Sequence, residues 1–537
     1  MRRLVVLLVL LVLIVLLLVM TVIYPYSLKN SQHQLVNGAR YEPVECWFDH
    51  TYFPRGFQVD SWLFGFKIKR IECGHLITRI EQGASIFRLP VVIVRDSFWR
   101  NSQHPVLNIS GGPGASAWLD QNSINQFWLP TIEKNDWHHD IVLYDSRGTG
   151  LSHPALHCEH YFQDSLLILS QNLTPETEAQ RGYALLHQCY QQLLKNEKYA
   201  QALQHLGTIR NANDIADLAS LLSIESWHLY GTSYGTRLAL EVVRTYPDKV
   251  ASMILDSVYP QEIDGEETMP DLYLDAVGKM LTACKDEPTC ALQYSQLQKK
   301  LYTILRRLQE KPITLSLEYN KESVEFVVTP VRFFSLLYDA GYDINSVVTV
   351  PNVIQSLYAD NRSALHYLAQ GSLDMMLDKS FSNPVYMEVE CNENEIKNKQ
   401  AYIDNINEKY LYYPVLKRWQ LSAIDDDFCT IWGKEESNAS FHQAVVTNKP
   451  TLILAGQLDS ATPVKWSKAV AARLPNSEYH EFQASGHAVL FNVPCAKKIV
   501  RRFLNPEKHY PAGCQSDNAY KDGQRIIWEA PDVGDVF

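Results

Sequence analysis

The sequence carries no Lys/Arg-rich stripe, and its 49 basic residues are outnumbered by 60 acidic ones, for a formal net charge of −11. Such a surface does not suit a polyanion, so nucleic acid is not an expected partner. No HExxH or other metal-ligand cluster occurs, so no metal is expected. Walker and dinucleotide motifs are missing too, and no cofactor is called for. The ten cysteines include no CxxC pair, which disfavours a zinc ribbon or a thioredoxin-type redox site. The 537 residues contain neither an internal repeat nor a long low-complexity linker.

One long hydrophobic run is present. Arg2 and Arg3 precede apolar residues from Leu4 to Ile23, broken only by Thr21. Twenty helical residues span roughly 30 Å, the hydrocarbon thickness of a bilayer. No Ala or Gly follows until Gly38, so a small-residue cleavage site is missing. The run reads as an uncleaved signal anchor; secretion after cleavage is the alternative. The arginines place the N-terminus in the cytoplasm and the rest of the chain in a periplasmic, lumenal or extracellular space. An even cysteine count beyond an export signal suggests disulfides. Sequential pairing joins near neighbours: Cys46 with Cys73, Cys158 with Cys189, Cys284 with Cys290, Cys391 with Cys429, and Cys495 with Cys514. N-x-S/T sites occur at Asn108, Asn172, Asn361 and Asn438.

From about residue 105, short apolar runs alternate with helical patterns. "HPVLNIS", "DIVLYDSRG", "SWHLYGTS", "VASMILDSV", "PTLILAGQLD" and "EYHEFQASGH" read as strands. Between them lie stretches such as "NANDIADLASLLSI", with Ile215, Leu218, Leu221 and Leu222 at helical spacing. Strand-helix alternation implies a doubly wound, mostly parallel α/β sheet. The break between Val258 and Pro450 is too long for a loop and reads as an inserted, mainly helical cap. The expected division is 1–26 anchor, 27–259 first part of the core, 260–448 cap, 449–515 second part of the core, and 516–537 tail.

"YGTSYGTRLAL", Tyr230–Leu240, places Ser233 between Gly231 and Gly235, after a strand and before a helix. Gly-x-Ser-x-Gly in that context is the nucleophile elbow of α/β-hydrolases, in which a tight turn exposes the serine Oγ. Such a serine needs a base, and the base an orienting carboxylate, in the chain order Ser, Asp/Glu, His. Asp459 in "GQLDSATP" and His487 in "ASGHAVL" follow in that order, each at the carboxyl end of a predicted strand. The oxyanion of a tetrahedral intermediate requires N–H donors. Tyr234 supplies one; Gly112 in "SGGPGAS" is chosen for the other, with Gly111 in reserve. His138 and His139 are left as ordinary histidines. A serine at the elbow, rather than an aspartate, disfavours epoxide-hydrolase and dehalogenase chemistry.

Together "GGPG", "YDSRGTGLS", "GTSYGT", "GQLDSATP" and "SGHAVL" resemble the proline iminopeptidase and tripeptidyl aminopeptidase branch of the α/β-hydrolases, best the secreted tripeptidyl aminopeptidase-like group. The likeness covers about residues 40 to 515 and extends to "IECGHL" and the Cys495–Cys514 segment. Ser110 stands where proline iminopeptidases usually have His before GGPG. The resemblance implies hydrolysis of a peptide or amide bond near a free N-terminus. A carboxylate to bind the ammonium group is then needed. "VYMEVECNENE" offers Glu388, Glu390, Glu393 and Glu395; Val385 to Cys391 alternates like a strand, and Glu393 matches the place of an amine-binding acid in related enzymes, with Glu390 beside it. "IDDDFC", Asp425 to Asp427 before Cys429, is a second candidate, and a Cys391–Cys429 bridge would bring the two acidic stretches together. Asp145 and Arg147 read as scaffold, an ion pair and turn behind the site. The expected function is an exported serine aminopeptidase acting on peptides, with the membrane as its only other partner. The alternative is an esterase on small substrates, and a non-catalytic binding protein is disfavoured by the intact triad.

Overall fold

The computed structural model describes residues 35–49, 60–63, 66–81, 84–97, 102, 104–158, 160–394, 396–425, 428–433 and 440–510. The Leu4–Ile23 run, Glu395, Asp426, Asp427, Asn438 and Cys514 lie outside them. Among the described residues no helix is long and apolar enough to cross a membrane.

Nine strands form the central sheet: β1 (Arg40–Val44), β2 (Ile71–Ile77), β3 (Arg88–Val94), β4 (Val106–Ile109), β5 (Ile141–Tyr144), β6 (Trp227–Thr232), β7 (Val250–Asp256), β8 (Thr451–Gly456) and β9 (Ser477–Phe482). Their spatial order is β1-β2-β3-β5-β4-β6-β7-β8-β9. The pairs β1/β2, β2/β3 and β3/β5 are antiparallel. From β5 to β9 every pair is parallel. A parallel sheet is covered on both faces, which is why β4, β5 and β8 are buried at every residue. Side chains alternate across it. Leu107, Leu229, Leu255 and Ile453 pack on one side with Leu218 and Leu238 of the helices Thr208–Leu221 and Tyr234–Thr245. Val106, Tyr230, Ile254 and Leu452 pack on the other with Leu129 and with Ile499 of the helix Ala496–Leu504. The three strands before residue 95 carry the antiparallel edge; the sequence reading begins its strands only at about residue 105.

Between β7 and β8 the chain leaves the sheet and builds the cap, mainly helical, with one antiparallel hairpin, Ile313–Tyr319 with Glu322–Val328. The cap has its own core, including Leu301, Phe333, Leu337 and Ile354, and that core takes in Leu458 and Ala484 from the ends of the sheet. Cap and sheet are thus packed together beside Asp459 and His487. The strand expected over Val385–Cys391 is instead the helix Asn383–Glu393. Ser382 caps it through the Val385 N–H, and Pro384 sits in the first turn where its missing N–H costs nothing. Val385, Met387, Glu388, Val389 and Glu390 are all buried, so no single face reveals its period, and the alternation of "VYMEVE" misleads.

Disulfides join Cys46–Cys73, Cys158–Cys189, Cys284–Cys290 and Cys391–Cys429. Cys495 is disulfide-bonded as well.

Candidate active site

Ser233 closes β6 and opens the helix Tyr234–Thr245 with φ 57° and ψ −124°. A non-glycine residue held there costs on the order of 1–3 kcal/mol and needs its surroundings to fix it. The Ser233 N–H donates to Asp256 O at 2.9 Å, and its carbonyl accepts from the Thr236 N–H and hydroxyl at 2.9 and 2.6 Å. Both flanking glycines are required by close approach. A Cβ on Gly231 would run into the Gly235 carbonyl oxygen, and one on Gly235 into that of Ile109. Ser233 is half-buried. Its Oγ makes no hydrogen bond among the described residues.

His487 sits after β9 and Asp459 after β8. The His487 Nδ1 lies 2.9 and 3.0 Å from the two Asp459 oxygens. Asp459 is buried and accepts further from the N–H groups of Ala461 and Thr462 at 2.9 and 2.8 Å and from the Thr462 hydroxyl at 2.7 Å. Burial alone would raise its pKa, but the His487 charge and these hydrogen bonds outweigh that and hold it below the usual carboxylate value. For His487, burial works downward, and the Asp459 charge and hydrogen bond, with Asp256 beyond, raise it overall.

Asp256, at the end of β7, ties Ser233 and His487 to one corner. Its carbonyl receives the Ser233 N–H, its carboxylate receives the N–H groups of Val489 and Leu490 at 2.7 and 2.9 Å, and the neighbouring Ser257 hydroxyl receives the Ala488 N–H at 2.9 Å. Burial pushes the Asp256 carboxyl up to about 6, against those amides. The cap supplies the other support: the His487 N–H donates to Gly341 O at 3.0 Å.

The loop after β4 comes down on the elbow. A Cβ placed on Gly111 would be 3.2 Å from Ser233 Cβ and 3.8 Å from its Oγ, so Gly111 lies against the serine. Gly112 follows at φ 104°, which favours glycine. The N–H groups of Gly111, Gly112 and Tyr234 have no acceptor among the described residues. The helix Asn383–Glu393 stands on this loop through the Ser382 N–H to Gly114 O at 2.9 Å and the Trp118 Nε1–H to the Ser380 hydroxyl at 3.1 Å.

Glu393 and Glu390 are both buried, and their surroundings differ. Glu393 accepts the Thr208 N–H at 2.7 Å and hydroxyl at 2.8 Å, with Arg237 Nη1 3.8 Å away. The Thr208 hydroxyl also meets the Tyr234 hydroxyl at 2.6 Å. Both Glu393 oxygens are therefore taken by the helices beside the elbow. Glu390 receives the Asn394 amide at 2.5 Å and the Tyr259 hydroxyl at 3.3 Å on one oxygen, Oε2. Burial first, then the neighbouring Glu266 and Glu393, lift its pKa to about 8 against the pull of Arg237. Arg237, one helical turn below Ser233, is fully buried over the Tyr259 ring at 3.7 Å and donates to the carbonyls of Pro260 and Ile263. Asp425 ends the helix Pro414–Asp425, and the Cys391–Cys429 bridge ties that end of the chain to the helix bearing both glutamates.

One scaffold reading needs correction, the Asp145–Arg147 ion pair. Arg147 pairs with Asp214, not Asp145, through Nε and Nη2 at 2.7 and 2.9 Å. The two groups lie 67 residues apart, too far for spacing to reveal. Asp145 instead accepts the Ala117 and Leu151 N–H groups at 2.6 and 2.7 Å, binding its turn to the loop after β4. His138 lies by Asp136, and His139 bridges the carbonyls of His104 and Leu504; both are remote from the serine in their contacts. Asn108 is buried in β4, whereas Asn172 and Asn361 are exposed. The sequence reading passed over Asp256, although "MILDSV" puts an acid at a strand's carboxyl end, the same signal that picked out Asp459. Gly341 and Thr208 gave no comparable signal.

The α/β hydrolase fold family matches residues 104–317, and the TAP-like protein family matches residues 413–512. YuaR of Escherichia coli (strain K12) is 20% identical over 434 residues, 76% of this chain and 79% of that one. The tripeptidyl aminopeptidase of Streptomyces coelicolor is 22% identical over 449 residues, 81% of each. The proline iminopeptidase of Arabidopsis thaliana is 27% identical over 183 residues, 33% of this chain and 34% of that one. With the fold and the serine elbow above, the chain is a serine hydrolase of α/β-hydrolase fold that resembles the proline iminopeptidase and tripeptidyl aminopeptidase-like group.

Proposed function

We propose that this hydrolase is an aminopeptidase that cleaves peptides near a free N-terminus through Ser233, His487 and Asp459. The observation that carries the reading is the His487 Nδ1 held on the buried Asp459 carboxylate, tethered to the same corner as a strained, half-buried serine. Ser233 Oγ attacks the carbonyl carbon while the His487 Nε2 takes its proton, and Asp459 stabilises the imidazolium. The oxyanion falls to the N–H of Tyr234 and of Gly111 or Gly112. The C–N bond then breaks as His487 returns the proton to the leaving amine, and water, activated by the same imidazole, releases the acyl group. No metal or cofactor enters these steps.

For the substrate ammonium, the surroundings favour Glu390 over Glu393, whose oxygens already serve Thr208 and Arg237. That same engagement is what an esterase reading draws on, since it leaves fewer acids for an amine. We further propose that Leu4–Ile23 anchors the chain, with the hydrolase outside the cytoplasm; four disulfides suit an oxidising compartment. Mass spectrometry of the mature N-terminus tests this, a start between about Tyr24 and Ala39 showing cleavage instead. A fluorophosphonate should label the protein but not Ser233→Ala, and labelling that survives would remove the nucleophile. A panel of free-amine peptides, N-acetylated peptides and short esters decides between the substrate classes. Turnover of esters with none of any free-amine peptide would establish the esterase.

A further inference from the structure

A cavity lies beside the sheet, apart from the proposed catalytic residues. Its volume is about 150 Å³, and it sits between Ile141 of β5 and the segment from Phe127 to Trp137, with Leu490 and Phe491 closing one side. Neither Ser233 nor Gly112 nor Glu390 lines it. A dry apolar cavity of roughly 150 Å³ is large enough for a benzene ring.

Its polar lining is Asn108, Thr131, Asn135, Trp137, Tyr230 and Lys497, with no carboxylate among them. Lys497 lines the cavity, half-buried, and no carboxylate among the described residues pairs with it. Burial pulls its pKa down, and the neighbouring charge is another cation, Lys134, which acts the same way. The Trp137 Nε1–H is buried without an acceptor on a residue 8% exposed. The Asn135 amide oxygen is also buried without a partner, and an amide can turn its NH₂ inward instead. One cation, Lys497, and the unmatched Trp137 donor beside an aromatic wall describe a place for an anion with a flat apolar body.

We propose that this cavity binds a small aromatic carboxylate, with the ring among Phe127, Trp128 and Trp137 and the carboxylate on Lys497 and the Trp137 N–H. Phe491 and Leu490 belong to the short helix Val489–Asn492, two residues beyond His487, so an occupant leans on the loop that carries the proposed base.

The probe is phenylacetate, compared with phenylacetamide, its neutral isostere. Titration is followed by tryptophan fluorescence and calorimetry on full-length protein whose Ser233 has first been blocked by a phosphonate. Phenylacetate should bind the blocked protein more tightly than the amide. Lys497→Met should weaken phenylacetate about tenfold or more and leave phenylacetamide nearly unchanged, while Lys497→Arg should keep most of the affinity. Trp137→Phe, which keeps the ring wall and removes the donor, should weaken the acid more than the amide. Near-UV circular dichroism and Tm check each variant's fold. The proposal is overturned if neither probe binds, if blocking Ser233 abolishes binding, or if Lys497→Met and Trp137→Phe, both folded, bind phenylacetate as before.

Discussion

Tyr342, from the cap, stands edge-on to the imidazole of His487, with ring centroids 5.1 Å apart and planes at 62°. The contact joins a cap residue to a loop of the sheet next to the Gly341 O bond to the His487 N–H. If it fixes the ring for proton transfer, Tyr342→Ala should lower kcat roughly ten- to a hundredfold while KM changes little. Tyr342→Phe keeps the ring edge and should behave like the wild type. Rates on a small ester, measured for both variants, check this; equal losses would mean the hydroxyl matters instead.

Asp256 and His487 form a second electrostatic pair. The nearby carboxylate helps raise the imidazole, so the acid limb of kcat/KM should lie above the ordinary histidine value of about 6.5. Asp256→Asn should move that limb to lower pH, since the imidazolium loses a stabilising charge. A pH profile on a neutral ester reads the shift. An unmoved limb with reduced amplitude would make Asp256 a support for the Val489–Leu490 amides only.

Asp459→Asn should leave the fold and cut turnover by orders of magnitude, because the imidazole loses the acceptor that sets its tautomer. The linkage has a definite sign: the Asp459 pKa is depressed, so its contribution to stability is present at neutral pH and is lost as pH falls through its folded value. Chemical denaturation from pH 7 down to pH 3 should therefore show a shallower loss in the Asn variant than in the wild type.

Glu390 and Glu393 should separate by substrate and by stability. Glu390→Gln should reduce kcat/KM on free-amine peptides about ten- to a hundredfold and spare neutral esters. Wild-type KM for those peptides should improve as pH rises towards about 8, where Glu390 ionises, and the variant should lack that trend. In stability the same raised pKa acts oppositely: the folded chain holds the proton longer than the unfolded one, so stability declines as pH rises from 4.5 towards 8. Glu393→Gln should instead lower Tm and depress rates on amines and esters alike, since Arg237 loses its partner below the elbow.

Arg147→Met should destabilise the fold by about 3–5 kcal/mol, because it leaves Asp214 charged and buried without its bidentate partner. The double variant Arg147→Met/Asp214→Leu should recover much of the loss. Urea midpoints for the three variants check the order.

Local chemistry made part of this molecule readable in advance. Gly231, Ser233 and Gly235 announce a tight turn because their spacing matches a strand's end and a helix's start. Asp459 follows the apolar run TLILAG, whereas the strand before His487, SEYHEF, is mostly polar and is marked by its place after that run. The strands Arg40–Val44 and Ile71–Ile77 carry Arg, Glu and His among their apolar residues, which hides them, whereas Arg88–Val94 is an apolar run after its first residue. Val385–Cys391 reads as a strand although it lies in the helix Asn383–Glu393, because burial on all sides erases helical periodicity. The pairings of Arg147 with Asp214, Glu393 with Thr208 and His487 with Gly341 join residues 67 or more positions apart, and no local pattern encodes them.

The cap's place in the chain has a consequence for synthesis. It is inserted after β7 and before β8, so a growing polypeptide completes the elbow around Ser233 long before Asp459 and His487 exist. The loop that will hold the imidazole needs Asp256 from the early part, Gly341 from the middle and Val489–Leu490 from the end. A chain halted anywhere within the cap would hold the serine turn and lack the proposed base, His487. The order of the sequence thus acts as a delay, separating the appearance of Ser233 from that of the proposed base His487 by the whole length of the cap.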